Sequence, residues 1–120
     1  KFRTELGKKV VLTKGLDNCL VIYPLEGWKK MAGKLENLPD GQVSARDFNR
    51  VILSGATDVA FDKLGRILIP DQLRDYAILK KNVAILGLSN KIELWDNVRW
   101  QERKKKMEKS AGEMAQQLGI

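Results

Sequence analysis

An internal repeat constrains this chain more than any other feature, because a unit used twice has to bury its apolar face against its own copy. Gly15-Leu16-Asp17-Asn18-Cys19-Leu20-Val21-Ile22-Tyr23 lies over Gly87-Leu88-Ser89-Asn90-Lys91-Ile92-Glu93-Leu94-Trp95, and Trp28 lies over Trp100, every pair 72 positions apart. Phe2-Arg3 matches Leu73-Arg74 at 71 positions, which places a one-residue gain or loss between Leu6 and Val10 relative to Leu79 to Asn82. The second copy also has a front part, Thr57 to Pro70, with no counterpart ahead of Lys1, so the first copy is expected to lack its front hairpin.

In that front part, Thr57 to Phe61 and Arg66 to Ile69 are β-branched and apolar runs separated by Asp62-Lys63-Leu64-Gly65, which predicts a hairpin whose glycine takes a positive φ. Pro70 cannot donate to a ladder but suits a helix start, so Asp71 to Tyr76 is predicted helical. Val83 to Leu88 and Lys91 to Trp95 predict a second hairpin, mirrored by Val10 to Thr13 and Leu20 to Tyr23. Ser44-Ala45-Arg46-Asp47 has the pattern of a capping box opening a helix with Phe48, Val51 and Ile52 on one side, ending near Gly55. Leu38-Pro39-Asp40-Gly41 before it is a loop. Met107, Ala111, Met114, Ala115 and Leu118 share one helical face, so residues 96–118 predict an amphipathic helix. The expected division is a first repeat over residues 1–37, a connecting loop and helix over 38–56, a second repeat over 57–100 and the amphipathic helix over 101–120, in an α+β fold.

Composition decides between function classes. The 120 residues, 43% hydrophobic and 31% charged, are those of a folded domain with one core. Lys plus Arg total 22 against 15 Asp plus Glu, a net charge of +7 that favours a polyanionic partner, nucleic acid before acidic lipid or acidic protein. Neither a secretion signal nor an apolar run of spanning length is present, which predicts a cytoplasmic protein without a membrane span. The chain has one cysteine, Cys19, and no histidine, so zinc spacings and a histidine base are both missing. With no phosphate-cradling glycine loop and no nucleophile elbow either, no catalytic residue, metal, cofactor or small-molecule substrate is expected.

Asp62-Lys63-Leu64-Gly65-Arg66 is the foremost candidate site. A hairpin tip with two cations beside a glycine lets basic side chains reach a groove while Asp62 accepts turn N–H groups and orients the arginine; the alternative is an ordinary surface turn. Arg3 and Arg74 recur at equivalent positions and fit either phosphate contacts or ion pairs at helix ends. The run Arg99, Arg103, Lys104, Lys105, Lys106 and Lys109 fits a nucleic-acid or lipid surface, yet interleaved Glu102 and Glu108 favour a solvated face. Tyr23, Trp28, Trp95 and Trp100 favour core anchoring over a platform for stacked bases. Cys19 lies over Lys91, so no repeated chemistry depends on it.

TKGLDNCLVIYP at residues 13–24, together with SGATDVAFDKLGRILIP at residues 54–70, resembles the MraZ family of bacterial transcriptional regulators, and the resemblance runs from Lys1 to about Trp100. It implies tandem AbrB-like (SpoVT-AbrB) swapped-hairpin units that form a small pseudo-symmetric β-barrel core with flanking helices, and a homo-oligomeric ring. It also implies a nucleoid-associated protein bound to repeated double-stranded DNA boxes at the promoter of the division and cell-wall gene cluster. The family's D-x-x-x-R signature falls on Asp62 and Arg66, with Lys63 and Gly65 between them. Two other readings remain open: an AbrB-like antitoxin or interaction module that wraps a partner protein with a disordered C-terminus, and a basic scaffold touching anionic lipid through Arg99 to Lys109.

Overall fold

Val10 to Thr13 and Leu20 to Ile22 are nearly continuous apolar runs, and such runs suit strands covered on both faces. The structure, a computed structural model, describes residues 9–120 and uses them in that way. β1 (Lys9–Lys14) and β2 (Leu20–Pro24) form an antiparallel hairpin with Leu12 opposite Ile22. β3 (Thr57–Ala60) pairs with the other edge of β1. β4 (Val83–Gly87) and β5 (Ile92–Asp96) form a second hairpin, and β5 joins β2. The strand order of this antiparallel sheet is β3-β1-β2-β5-β4. Helices α1 (Leu25–Glu36), α2 (Val43–Gly55), α3 (Asp71–Tyr76) and α4 (Asn97–Gln117) complete the α+β fold that the sequence predicts.

The two copies meet at β2 and β5, where Leu20 faces Leu94, Val21 faces Glu93 and Ile22 faces Ile92. Residue 92 is the repeat equivalent of Leu20 and residue 94 that of Ile22, so a pseudo-two-fold axis passes through the Val21–Glu93 pair. The helices obey it: α1 starts at Leu25 and α4 at Asn97, again 72 positions apart. So do the aromatic pairs, with ring centroids 5.8 Å apart for Tyr23–Trp28 and 5.6 Å for Trp95–Trp100.

One sheet face carries Val10, Leu12, Leu20, Ile22, Ile92 and Leu94, which pack with Leu73, Ala77 and Leu79 from α3 and the chain after it. On the other face, the Thr13 hydroxyl donates to the Ile52 carbonyl of α2 at 2.7 Å. Leu35 of α1 and Ala45 and Ile52 of α2 are buried as well. Cys19 is fully buried, and burial, reinforced by Glu93 and Asp17, pushes its thiol up from 9.0 to about 12. β4, at the sheet edge, is far less covered: Ile85 is 70% exposed where Leu12, its counterpart in the pairing, is at 0%.

Four details depart from the sequence expectation. Arg66 to Ile69 forms no ladder among the described residues; β3 instead pairs across the repeat boundary with β1. The first turn is one residue longer than the second, with Leu16 to Asn18 against Ser89 and Asn90. Asp17 and Asn18 take up the extra residue at φ 62° and 55°, in the left-handed region that short polar side chains tolerate. The 72-residue overlay therefore holds after the turn, while Val10 matches Val83 before it. α2 starts at Val43 with Gln42 in the N-cap position and no side-chain cap, so Ser44 lies inside the first turn and not where a capping box needs it, and Asp47 pairs with Arg50 at 2.8 Å. Finally, α4 has no buried residue; Met107 and Ala115 of the expected apolar face are half-covered, whereas Met114 and Leu118 are exposed.

The structure favours the protonated Cys19, so its contribution to stability is complete below pH 9 and is lost as pH rises toward 12. Thermal melts followed by circular dichroism should show the midpoint falling over that window. Cys19→Ala should melt lower at pH 7 but lose less between pH 9 and pH 12.

Candidate nucleic-acid interface

An aspartate at the start of a turn and a glycine near its end give the backbone a local way to close without a ladder. In residues 62–66 the Asp62 N–H donates to the Arg66 carbonyl at 2.8 Å, and the Gly65 N–H to the Asp62 carbonyl at 3.0 Å. Gly65 sits at φ 79°, where a Cβ would be strained. Asp62 Oδ1 accepts the N–H groups of Leu64 at 2.9 Å and Arg66 at 2.8 Å. Its Oδ2 accepts from Arg66 Nε at 2.9 Å.

One carboxylate thus fixes both the turn and the root of the guanidinium. An ion pair this exposed adds little stability; its consequence is orientation. The Arg66 side chain is 72% exposed and only its Nε is engaged by Asp62, so the terminal amino groups offer the remaining fork of donors. Val59 and Phe61 on one stem, and Ile67 and Ile69 on the other, pack against the core. Lys63, Leu64, Arg66 and Leu68 are exposed between and beside them. The loop is a pinned, outward cationic tip.

Arg74 lies in the last turn of α3 and lines a groove of about 290 Å³ with Ile67 and Ile69 of the loop stem and with Lys80 and Lys81. In the sequence these two lysines are marked only by their adjacency in the segment that leads into β4. Arg3 lies outside the described residues.

The basic run along α4 divides. Arg99 is a structural clamp: its guanidinium donates to the carbonyls of Asn18 at 2.8 Å, Ala77 at 3.0 Å and Asp17 at 3.2 Å, and lies 5.7 Å from the Trp95 ring centroid. Arg103 reaches Asp17 at 3.6 Å, while Lys104, Lys105, Lys106 and Lys109 are exposed. Buried Asp96 caps the helix by accepting from the Arg99 N–H at 3.3 Å, and also holds the Lys80 N–H at 3.1 Å. The aromatic residues form the two packed pairs already described, and Trp95 is buried, so they anchor helices to the sheet.

Two dyad-related AbrB-like units in one sheet, with a cationic loop leading out of β3, define the class: a duplicated AbrB-like α+β protein. The family model described as "MraZ protein, putative antitoxin-like" matches the chain twice, over residues 1–51 and again over residues 52–118. The "Transcriptional regulator MraZ" of Halothermothrix orenii is 50% identical over 123 residues, spanning 100% of this chain and 86% of that protein. The protein of the same name from Moorella thermoacetica is 51% identical, over 85% of this chain and 71% of its own length. That of Caldanaerobacter subterraneus subsp. tengcongensis is 48% identical, over 98% and 82%. This chain belongs to the MraZ family.

Two substitutions test the local account. Asp62→Ala should cost no more than about 1 kcal/mol of stability, since the site is exposed, yet it should lower the heteronuclear NOE of Leu64 to Arg66. Arg99→Met, which leaves three carbonyls without their donor, should cost roughly 1.5–3 kcal/mol in denaturant unfolding.

Proposed function

We propose that this chain is a sequence-specific, double-stranded DNA-binding transcriptional regulator that reads repeated promoter boxes through the Asp62 to Arg66 loop. The observation that carries this reading is the exposed Arg66 fork, held at its root by Asp62 on a tip whose stems are pinned to the core. A pre-oriented guanidinium suits the paired O6 and N7 acceptors of guanine in the major groove. Gly65 removes the side chain that would hold the backbone away from DNA, and Lys63 and Arg74 contact flanking phosphates, with Arg3 as a further flanking cation.

The net charge of +7 and the name of the relatives, transcriptional regulator, support the same reading. The resemblance extends it to boxes ahead of division and cell-wall genes, to a cytoplasmic, nucleoid-associated protein, and to a ring of several copies that matches repeated boxes with repeated loops. The division into repeats over residues 1–37 and 57–100 is part of this proposal. Binding and not catalysis is the role assigned.

The antitoxin-like reading requires a C-terminus that orders only on a partner protein. A helix already formed from Asn97 to Gln117 favours the regulator.

Fluorescence anisotropy on duplex DNA from the promoter region should show Arg66→Ala weakening binding roughly 10- to 100-fold with the melting temperature unchanged, the loss expected for one arginine–base contact. Lys63→Ala should weaken binding to all sequences alike and reduce the salt slope by about one. Wild-type affinity in Arg66→Ala would falsify the loop assignment.

A further inference from the structure

The pseudo-two-fold relates Arg99 of α4 to Gly27 of α1, and the turn at Asp17-Asn18 to the turn at Ser89-Asn90. In one half, Arg99 and Arg103 fill the space between helix and turn, bonding to the turn carbonyls and to Asp17. In the other half their equivalents are Gly27 and Met31, and the space is an open cavity of about 390 Å³. A Cβ on Gly27 would lie 3.7 Å from the Asn90 carbonyl oxygen, so helix and turn keep the close approach while the guanidinium that fills it is missing.

The cavity has its own charge. Lys30 and Lys34, one helical turn apart on α1, and Lys91 of the turn line it, and no carboxylate does. Glu26 pairs with Lys29 at 3.4 Å, and Glu93, which acts on Tyr23, accepts the Trp95 indole N–H at 3.1 Å. Three ammonium groups outweigh the partial charge of the turn carbonyls, which decides against an incoming cation. Tyr23 and Met31 add a hydroxyl and an apolar wall. Burial, with Glu93 behind it, raises the Tyr23 pKa, so the phenol stays a neutral donor. A volume of this size is at the small end of ligand sites.

We infer that the cavity between α1 and the β4–β5 turn is a binding site for a phosphate group, with Lys30, Lys34 and Lys91 as the charge and Tyr23 and Asn90 as hydrogen-bonding partners. The phosphate belongs either to a small phosphorylated molecule or to a nucleic-acid backbone, and one set of variants separates the two. This site stands apart from the Asp62 to Arg66 loop, so failure of one assignment leaves the other untouched.

The test is a ¹H–¹⁵N titration of the full chain with inorganic phosphate and with adenosine monophosphate, against chloride at matched ionic strength. Saturable shifts centred on Gly27 to Lys34 and on Asn90 and Lys91 are expected, weakened at least tenfold in a Lys30→Gln/Lys34→Gln variant whose melting temperature is unchanged. If the site serves DNA backbone, that variant also lowers the salt slope of duplex binding by about two. If it serves a free phosphorylated ligand, duplex binding is unaltered while the titration shifts are lost. Shifts no larger than with chloride, together with duplex binding unaltered in the variant, overturn the inference.

Discussion

The antiparallel pairing of β2 with β5 is the contact on which the rest of the molecule depends. Each hairpin alone is a two-stranded ribbon, which is marginal in water. Joined with Val21 facing Glu93, they share one apolar face, and Leu20, Ile22, Ile92 and Leu94 become the centre of a common core. The register follows from the sequence of the two copies. A slip of one residue would turn Leu20 and Ile22 away from the core that α3 covers. The same pairing places each terminal helix against the turn of the other copy, which is why Arg99 can reach Asp17 and Asn18, some 80 residues away in sequence.

The features legible in the sequence are those set by local pattern. Unbroken apolar runs marked β1 and β2, Pro70 marked the start of α3, and Asp62 with Gly65 marked the loop. The closed turn, with Asp62 holding Arg66, is as the spacing predicts. The features that were not legible depend on partners distant in the chain. Arg66 to Ile69 has strand composition, but a ladder needs a neighbour, and β3 takes β1 as its own. Arg99 looks like one more cation in a basic helix because nothing nearby announces three carbonyl acceptors. The uncapped start of α2 has a different cause: the helix begins at Val43, ahead of Ser44, so the residues of the expected box fall inside its first turns. The longer first turn is hidden because Gly15 and Gly87 overlay in sequence at 72 positions while the strands ahead of them, β1 and β4, match with Val10 over Val83.

Duplication leaves the backbone plan similar and lets the copies divide the chemistry. In the second, an arginine on α4 closes the space beside a turn and so strengthens the seam. In the first, a glycine at the same place leaves that space open among lysines. The equivalent strands β1 and β4 diverge in the same manner: β1 is sandwiched between β2 and β3, whereas β4 lies at the sheet edge and keeps an exposed Ile85. The cationic tip at Asp62 to Arg66 borrows its rigidity from this arrangement, because its stems pack on a core built by both copies.

Native-state hydrogen exchange across a denaturant series tests the seam most directly. The protected amides of Leu20 to Ile22 and of Ile92 to Leu94 should exchange through one opening, with a single free energy and a single denaturant slope. If one hairpin exchanges at markedly lower free energy while the other stays protected, the halves are independent and a sheet shared across the pseudo-two-fold is contradicted.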